Sequence, residues 1–110
     1  MTGVEGRGWV DLEGKWIGVL RGQPVKVQMD GFEAVPCFDD QAQCLAVLEK
    51  AGTPSEVQTA TITSEEGFLT QMRTRLPGVK MVYNVEFGLD GRYRYILLEI
   101  DGPVAPRVLH

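Results

Sequence analysis

Two similar units in the middle of the chain constrain its fold more than any other feature. Each unit starts with a short apolar segment, continues with a polar capping residue and an amphipathic stretch, and ends at a glycine. The first unit spans residues 34–52 and the second spans residues 59–78. Side-chain oxygens at a helix start accept hydrogen bonds from free amides, and glycine at a helix end tolerates positive φ. The order therefore predicts a strand–helix–strand–helix layer.

The two predicted helices cover residues 40–51 and 65–76. Asp40 and Gln43 match a capping box at the start of the first helix, and Ser64 precedes the second helix as its N-cap. Apolar residues recur along one side of each helix at the helical period, and this side should pack on a sheet. The predicted inward-facing residues are Cys44, Val47, Leu48 and Ala51 in the first helix and Phe68, Leu69, Met72 and Leu76 in the second.

The first thirty residues predict a meander of short strands, because glycines interrupt the apolar segments every eight or nine residues. In the third of these strands Val25, Val27 and Met29 should share one side, since side chains alternate along a strand. A further strand is predicted over residues 57–62, which are rich in β-branched side chains. The three expected strands of the meander are residues 9–12, 15–20 and 24–30.

The last predicted element is a hairpin, for which two registers are open. A two-residue loop would place Phe87 opposite Arg94, whereas a three-residue loop would place Glu86 opposite Arg94. We favour the three-residue loop, because cross-strand pairs of opposite charge stabilise a sheet by about 0.2–1 kcal/mol. That register also places Met81 opposite Glu99.

Together these elements predict an α+β fold. Its core is a mainly antiparallel sheet, formed by the N-terminal meander and the C-terminal hairpin, with two helices packed on one face. A chain of 110 residues is the length of one domain. We expect residues 1–8 and 102–110 to be loose termini of this domain.

Composition and charge exclude several classes of protein. The net charge of −4 argues against nucleic-acid binding, which requires clustered lysine and arginine. No apolar run reaches the length of a membrane span, and the N-terminal residues lack the pattern of a signal peptide. We therefore predict a cytoplasmic location, with neither nucleic acid nor membrane as a partner.

Cys37 is the first candidate for chemistry, since it lies shortly before a predicted helix start, where free amides can lower the pKa of a thiol. A small apolar residue at the end of a buried strand is the simpler interpretation. Cys44 is expected on the inward side of the first helix. The two cysteines are too few for a disulfide scaffold and lack the spacing of a zinc site.

Other catalytic patterns are missing from the sequence. The single histidine, His110, is the last residue, so neither a Ser-His-Asp nor a Cys-His arrangement can form around a central histidine. Asp39 and Asp40 could act as an acid or metal pair, although helix capping explains them more simply. No glycine-rich phosphate loop follows a strand. We therefore predict no catalytic residue, no cofactor and no metal site.

Four arginines form a candidate surface patch: Arg73, Arg75, Arg92 and Arg94. With the neighbouring tyrosines they could bind phosphates or bases. A solvated face with acidic partners is the simpler interpretation. Strand alternation also places Arg94 and Tyr95 on opposite faces, which divides any single binding platform.

Two segments resemble the N-terminal domain of the SseB-like family. Residues 30–40, DGFEAVPCFDD, match its glycine turn, apolar-Pro-x-Phe strand and polar helix cap. Residues 78–84, GVKMVYN, resemble a later strand that ends in asparagine, although Val85 follows where the family commonly has proline. The resemblance covers the order of elements over residues 16–100. It implies an accessory or secretion-associated role with no agreed catalytic residues.

These observations favour a non-enzymatic accessory module that binds another protein or itself, the latter as a homodimer. An edge strand or an uncovered sheet face would provide the contact. The alternative is a small-molecule-binding or thiol-dependent protein that uses Cys37 at a helix N-terminus.

Overall fold

The computed structural model describes residues 3–8, 10–29, 31–87 and 92–98, with no side-chain description for residues 3–8 and Phe87. Within these ranges the chain forms eight strands and two helices. The elements in chain order are β1 (Gly3–Gly8), β2 (Trp16–Leu20), β3 (Gln23–Pro24), β4 (Val27–Gln28), β5 (Glu33–Cys37), α1 (Gln41–Lys50), β6 (Gln58–Thr61), α2 (Glu65–Arg75), β7 (Lys80–Phe87) and β8 (Tyr93–Leu98).

The strands lie in two sheets. A five-stranded sheet has the order β1-β8-β7-β5-β4, and a three-stranded sheet has the order β3-β2-β6. The pairs β1–β8 and β5–β7 are parallel, while the remaining neighbours in both sheets are antiparallel. An antiparallel bridge between Trp16 and Phe38 links the two sheets. The predicted α+β class and its mainly antiparallel pairing are therefore confirmed.

The helix boundaries follow the predicted caps closely. A side-chain oxygen of Asp40 accepts a hydrogen bond from the amide of Gln43 at 3.0 Å, and Ser64 caps α2 through the amide of Gly67 at 3.1 Å. The capping box of α1 is only half formed, since no hydrogen bond from the amide of Asp40 to the side-chain oxygen of Gln43 occurs among the described residues. The side-chain NH2 group of Gln43 donates to the carbonyl of Val85 at 3.3 Å. Within the described ranges, neither helix is long and apolar enough to cross a membrane.

The two helices lie on opposite faces of the five-stranded sheet, whereas we expected both on one face. Val35 and Cys37 pack in one apolar cluster with α2, and Ala34 and Phe38 pack in a second cluster with α1. Neighbouring residues of a strand point to opposite faces, so β5 is buried on both sides. Its continuous apolar run is the pattern of a strand in a parallel pair covered on two faces.

A β-bulge in β7 resolves the register of the hairpin. Glu86 faces Arg94, which confirms the favoured register near the turn. The pairing then shifts by one residue around Asn84, which has a φ of 50°, a region that asparagine tolerates better than most residues. Because of this shift, Met81 faces Leu98 instead of Glu99. Both residues are buried, so the bulge replaces an apolar–charged pair with an apolar one.

The N-terminal third differs most from the predicted meander. Residues 3–8, predicted as a loose terminus, form β1 beside β8. The strand predicted over residues 9–12 is absent from its described part, where the amide of Leu12 donates to Glu65 at 2.9 Å. The strand predicted over residues 24–30 is interrupted between β3 and β4, although its predicted burial of Val25, Val27 and Met29 is confirmed. The predicted loose segment 102–110 lies outside the described residues.

Candidate functional site

The candidate thiol, Cys37, lies in the core with no exposed surface. Burial raises its pKa to about 12, and the nearby Lys15 offsets this only in part. Cys44 is also buried, and burial raises its pKa to about 11. Both cysteines are free thiols. Since the thiolate is the reactive form, the folded protein holds both cysteines in an unreactive state at neutral pH.

The four candidate arginines lie on two different elements. Arg73 and Arg75 are exposed in the last turn of α2, while Arg92 and Arg94 are exposed at the start of β8. Arg94 faces Glu86 across the hairpin. Tyr95 is buried in the cluster that contains α1. Arg94 and Tyr95 therefore belong to opposite faces of β8, as predicted from strand alternation.

The adjacent residues Asp39 and Asp40 have separate roles. Asp40 caps α1, as predicted, whereas Asp39 is the centre of a polar group that we call the Asp39 cluster. Within the described residues, no three His, Cys, Asp or Glu side chains converge as metal ligands would. The members of the Asp39 cluster are Lys15, Asp39, Tyr83 and Asn84.

Every polar group of the Asp39 side chain has a partner in this cluster. One carboxylate oxygen lies 3.2 Å from the ammonium of Lys15. The other oxygen accepts hydrogen bonds from the hydroxyl of Tyr83 and, at 3.2 Å, from the side-chain amide of Asn84. In return, the backbone amide of Asp39 donates to the side-chain oxygen of Asn84 at 3.1 Å. The ammonium of Lys15 also lies 5.8 Å from the centre of the Tyr83 ring.

The electrostatics of the cluster favour a charged aspartate and a protonated tyrosine. The hydrogen bond from Tyr83 holds the pKa of Asp39 below its ordinary value, and Asn84 and Lys15 act in the same direction. The same bond raises the pKa of Tyr83 to about 12. A tyrosine with this pKa stays protonated at neutral pH and is a poor general base. The cluster therefore ties the end of β5 to the bulge of β7 and to the residue before β2.

Sequence reasoning could not find this cluster. Asp39 is 44 residues from Tyr83 and 45 from Asn84 along the chain, and only the pairing of β5 with β7 brings them together. The asparagine that ends the second SseB-like segment is a partial signal, because Asn84 is the residue at the bulge.

The strand β6 offers a different kind of surface, since among the described strands only β2 pairs with it, on one side. The amide of Ile62 donates to the carbonyl of Lys15 at 2.9 Å, which turns the backbone of Ile62 toward β2. Backbone groups alternate in direction along an antiparallel ladder. The backbone groups of Ala60 therefore also face β2, while those of Thr59 and Thr61 point away from it.

The partners of these threonines on β2 confirm this geometry. Trp16, which lies opposite Thr61, exchanges backbone hydrogen bonds with Phe38 at 2.7 and 2.9 Å. Gly18, opposite Thr59, accepts from the amide of Val25 at 2.9 Å. Both residues of β2 therefore bond on the side away from β6. Among the described residues, no backbone hydrogen bond links either threonine to a further element.

A groove of about 290 Å³ lies beside β6, between the three-stranded sheet and the start of α2. Ala60 and Gly67 contribute little or no side chain to this space. Thr61, Thr63, Ser64 and Gln71 add polar groups to its lining. The groove therefore combines an apolar surface with a strand edge whose outward backbone groups bond to no other described element. Its main apolar lining residues are Ile17, Val19, Pro24, Ile62 and Phe68.

Two other short edge strands, β3 and β4, carry features that discourage pairing with a further strand. A second groove, of about 390 Å³, lies beside β3 and β4. Proline at position 24 removes a donor from β3, and Lys26 between the two strands pairs with Glu33 at 3.5 Å. Proline and charged side chains are common protections of edge strands. β6, with the sequence QTAT, has neither.

Comparisons with known proteins found no match to the chain among protein-family models, curated proteins or solved structures. The resemblance to the SseB-like N-terminal domain therefore stays a prediction.

Proposed function

We propose that this chain is a non-enzymatic interaction module that binds an extended protein segment along the edge of β6. The observation that carries the proposal is the outward direction of the backbone groups of Thr59 and Thr61, next to an apolar groove. In strand addition, main-chain hydrogen bonds supply affinity and pockets for alternate side chains supply specificity. β6 and the groove provide both parts.

The groove is of a size that suits side chains of a bound segment. A residue opposite Ala60 would point to the same face as Ile17 and Ile62, which line the groove. The volume of about 290 Å³ is at the lower end of the range for small-molecule sites. We therefore expect the bound segment to carry an apolar residue at this position and at every second position from it.

The thiol-dependent alternative has less support, because Cys37 is fully buried and its pKa is raised to about 12. Two free thiols in the folded protein are compatible with the cytoplasmic location that we propose. Fractionation of cells that express the tagged protein tests this location, and recovery outside the cytoplasm would contradict it.

Selection from a library of random peptides displayed on phage tests the binding function. The bait is dilute wild-type protein, and Thr61→Pro is the matched variant that lacks the outward amide. Proline is tolerated on a strand edge where its missing N–H would face solvent, so the β2–β6 ladder should remain intact. Thr61→Val is the control, since it changes the side chain but keeps the amide.

We expect peptides with alternating apolar residues that bind the wild type and Thr61→Val. Their affinity for Thr61→Pro should be lower by about tenfold or more, the effect of losing about 1.4 kcal/mol of main-chain hydrogen bonding. Circular dichroism must show that Thr61→Pro is folded. An empty selection with a bait that sedimentation shows to be monomeric, or peptides that bind folded Thr61→Pro equally well, would overturn the proposal.

A further inference from the structure

We infer that β6 pairs with β6 of a second copy of this chain, antiparallel and about a twofold axis at Ala60. The inference rests on the proposed function, because it uses the same strand edge. It goes further by naming the partner and the register. The resulting sheet would run β3-β2-β6-β6-β2-β3 through both copies.

The direction of the backbone groups selects this register. With the axis at Ala60, Thr59 of one copy lies opposite Thr61 of the other. These are the two residues whose N–H and C=O groups point outward from β2. In an antiparallel ladder, residues that face each other in this way exchange both hydrogen bonds. The symmetry repeats the exchange on the other side of the axis, so each outward donor and acceptor meets a partner.

The charge pattern also suits pairing with a second copy. A twofold axis brings each residue near the axis close to its own counterpart, so a charged residue there would meet a like charge. Residues 58–63, QTATIT, carry no charge. The nearest acidic residue before them, Glu56, would lie opposite Ser64 of the second copy. No pair of like charges therefore opposes the register.

Side-chain size at the axis completes the argument. Ala60 would lie opposite Ala60 of the second copy in a non-hydrogen-bonded pair, where Cα atoms approach to about 4.5 Å. Alanine fits this close approach without crowding. Both copies would present the groove face on the same side of the joined sheet, so the two grooves flank the axis.

Cysteine cross-linking tests the register directly. Ala60→Cys places two thiols opposite each other within the Cα separation that a disulfide requires. Thr61→Cys is the matched control, because its two thiols are offset along the strands by about 7–8 Å and cannot bridge. The native Cys37 and Cys44 are buried and do not compete. We expect about tenfold more disulfide-linked dimer for Ala60→Cys than for Thr61→Cys under mild oxidation.

Sedimentation of the wild-type chain provides an independent readout. We expect its mean mass to rise toward that of a dimer between low and high micromolar concentration. Folded Thr61→Pro should remain at the monomer mass, and Thr61→Val should behave as the wild type.

Three results would overturn the second-copy inference: a monomeric wild type at high concentration, a dimer that folded Thr61→Pro does not weaken, or equal cross-linking of the two cysteine variants. If the wild type is monomeric but binds the selected peptides, only the second-copy inference fails. If it is monomeric and the peptide selection is empty, the proposed function fails as well.

Discussion

The Asp39 cluster and the β6 edge differ in whether their polar groups have hydrogen-bond partners within the described part of the chain. In the Asp39 cluster, the carboxylate, the amide of Asp39 and the amide group of Asn84 are all bonded within the chain. At the β6 edge, the outward backbone groups of Thr59 and Thr61 meet no described element. The charged side chains of the Asp39 cluster therefore stabilise the scaffold, whereas the outward backbone groups of the β6 edge are the ones that we propose bind a partner.

The difference has a physical origin in the neighbours of each strand. β5 lies between β7 and β4 inside its sheet, so polar groups at its end find partners on neighbouring elements. β6 is the last strand of the smaller sheet. A strand in that position keeps half of its backbone groups directed outward unless another chain pairs with it.

Hydrogen exchange should give the largest contrast between the two regions. In dilute protein, the amides of Trp16 and Phe38, which directly adjoin Lys15 and Asp39 of the Asp39 cluster, should exchange about 10³-fold or more slowly than those of Thr59 and Thr61. Only opening of the structure breaks the hydrogen bonds between Trp16 and Phe38. Ala60 is the internal control, since its amide faces β2 and should be protected. Slow exchange at all three β6 positions in dilute protein would mean that the edge is already covered. The measurement is residue-resolved NMR.

Alkylation tests whether the thiols of Cys37, two residues before Asp39, and of Cys44 are accessible in the folded protein. Cys37 and Cys44 should react with iodoacetamide about 10³-fold more slowly than a free thiol, because both are fully buried and reaction requires unfolding. Denaturant should remove this protection together with the loss of structure. Rapid alkylation of Cys37 in the folded protein would contradict the buried geometry and revive the thiol-dependent alternative.

Asp39→Ala should lower the free energy of unfolding by about 1.5–2 kcal/mol, because it removes the ion pair and the acceptor of two hydrogen bonds. Solvent screening limits the loss, since the Asp39 side chain is half-exposed. Asp40→Ala, the same change one residue later, should cost about 1 kcal/mol through loss of the α1 cap. Denaturant titration measures both values. Equal losses for the two variants would mean that the Asp39 cluster contributes no more than an ordinary helix cap.

The Asp39 cluster should also set the response to pH at both extremes. The pKa of Asp39 is lowered from an ordinary value of 3.8, so its contribution is present above that value and is lost as pH falls through the lower folded pKa. The pKa of Tyr83 is raised from 10.0 to about 12, so its contribution is present below pH 10 and is lost as pH rises toward 12. Ultraviolet titration of tyrosine should include a late-ionising phase from Tyr83, which Asp39→Ala returns toward 10. An unchanged titration in that variant would contradict the assigned hydrogen bond.

Thr61→Pro should have the smallest effect on stability, below about 1 kcal/mol, because the amide it removes makes no hydrogen bond to β2. Ala60→Pro is the contrasting control and should cost about 3 kcal/mol or more, since it removes a bond of the β2–β6 ladder. Thermal unfolding measures both. Equal destabilisation would mean that the backbone directions along β6 are opposite to those described.

Local patterns were sufficient for much of the fold. The sequence predicted both helices, the caps at Asp40 and Ser64, and the register at Glu86 and Arg94, and the structure confirms each of them. These features depend on contacts within a few residues or across one tight turn. For the same reason, the exposed face of α1 and its buried residues could be read from the helical period.

Contacts between distant residues decided the rest. The continuous apolar run 34–38 contained the sign of a strand buried on two faces, but only its pairing with β7 placed the helices on opposite sides. The Asp39 cluster joins Asp39 to Tyr83 and Asn84, which lie more than forty residues from it in sequence.

The sequence by itself determined both helices, their caps and the strands that adjoin them, because hydrogen bonding and burial over a few residues are encoded locally. It did not determine β1, which is a strand only because it pairs with the distant β8. Only the tertiary structure decided that β6 lies at the edge of its sheet among the described strands. Strand order depends on which distant segments pair, and local periodicity carries no information about that choice. The candidate site at β6 is therefore a property of the assembled sheets, since none of its uncharged residues is distinctive when read along the chain.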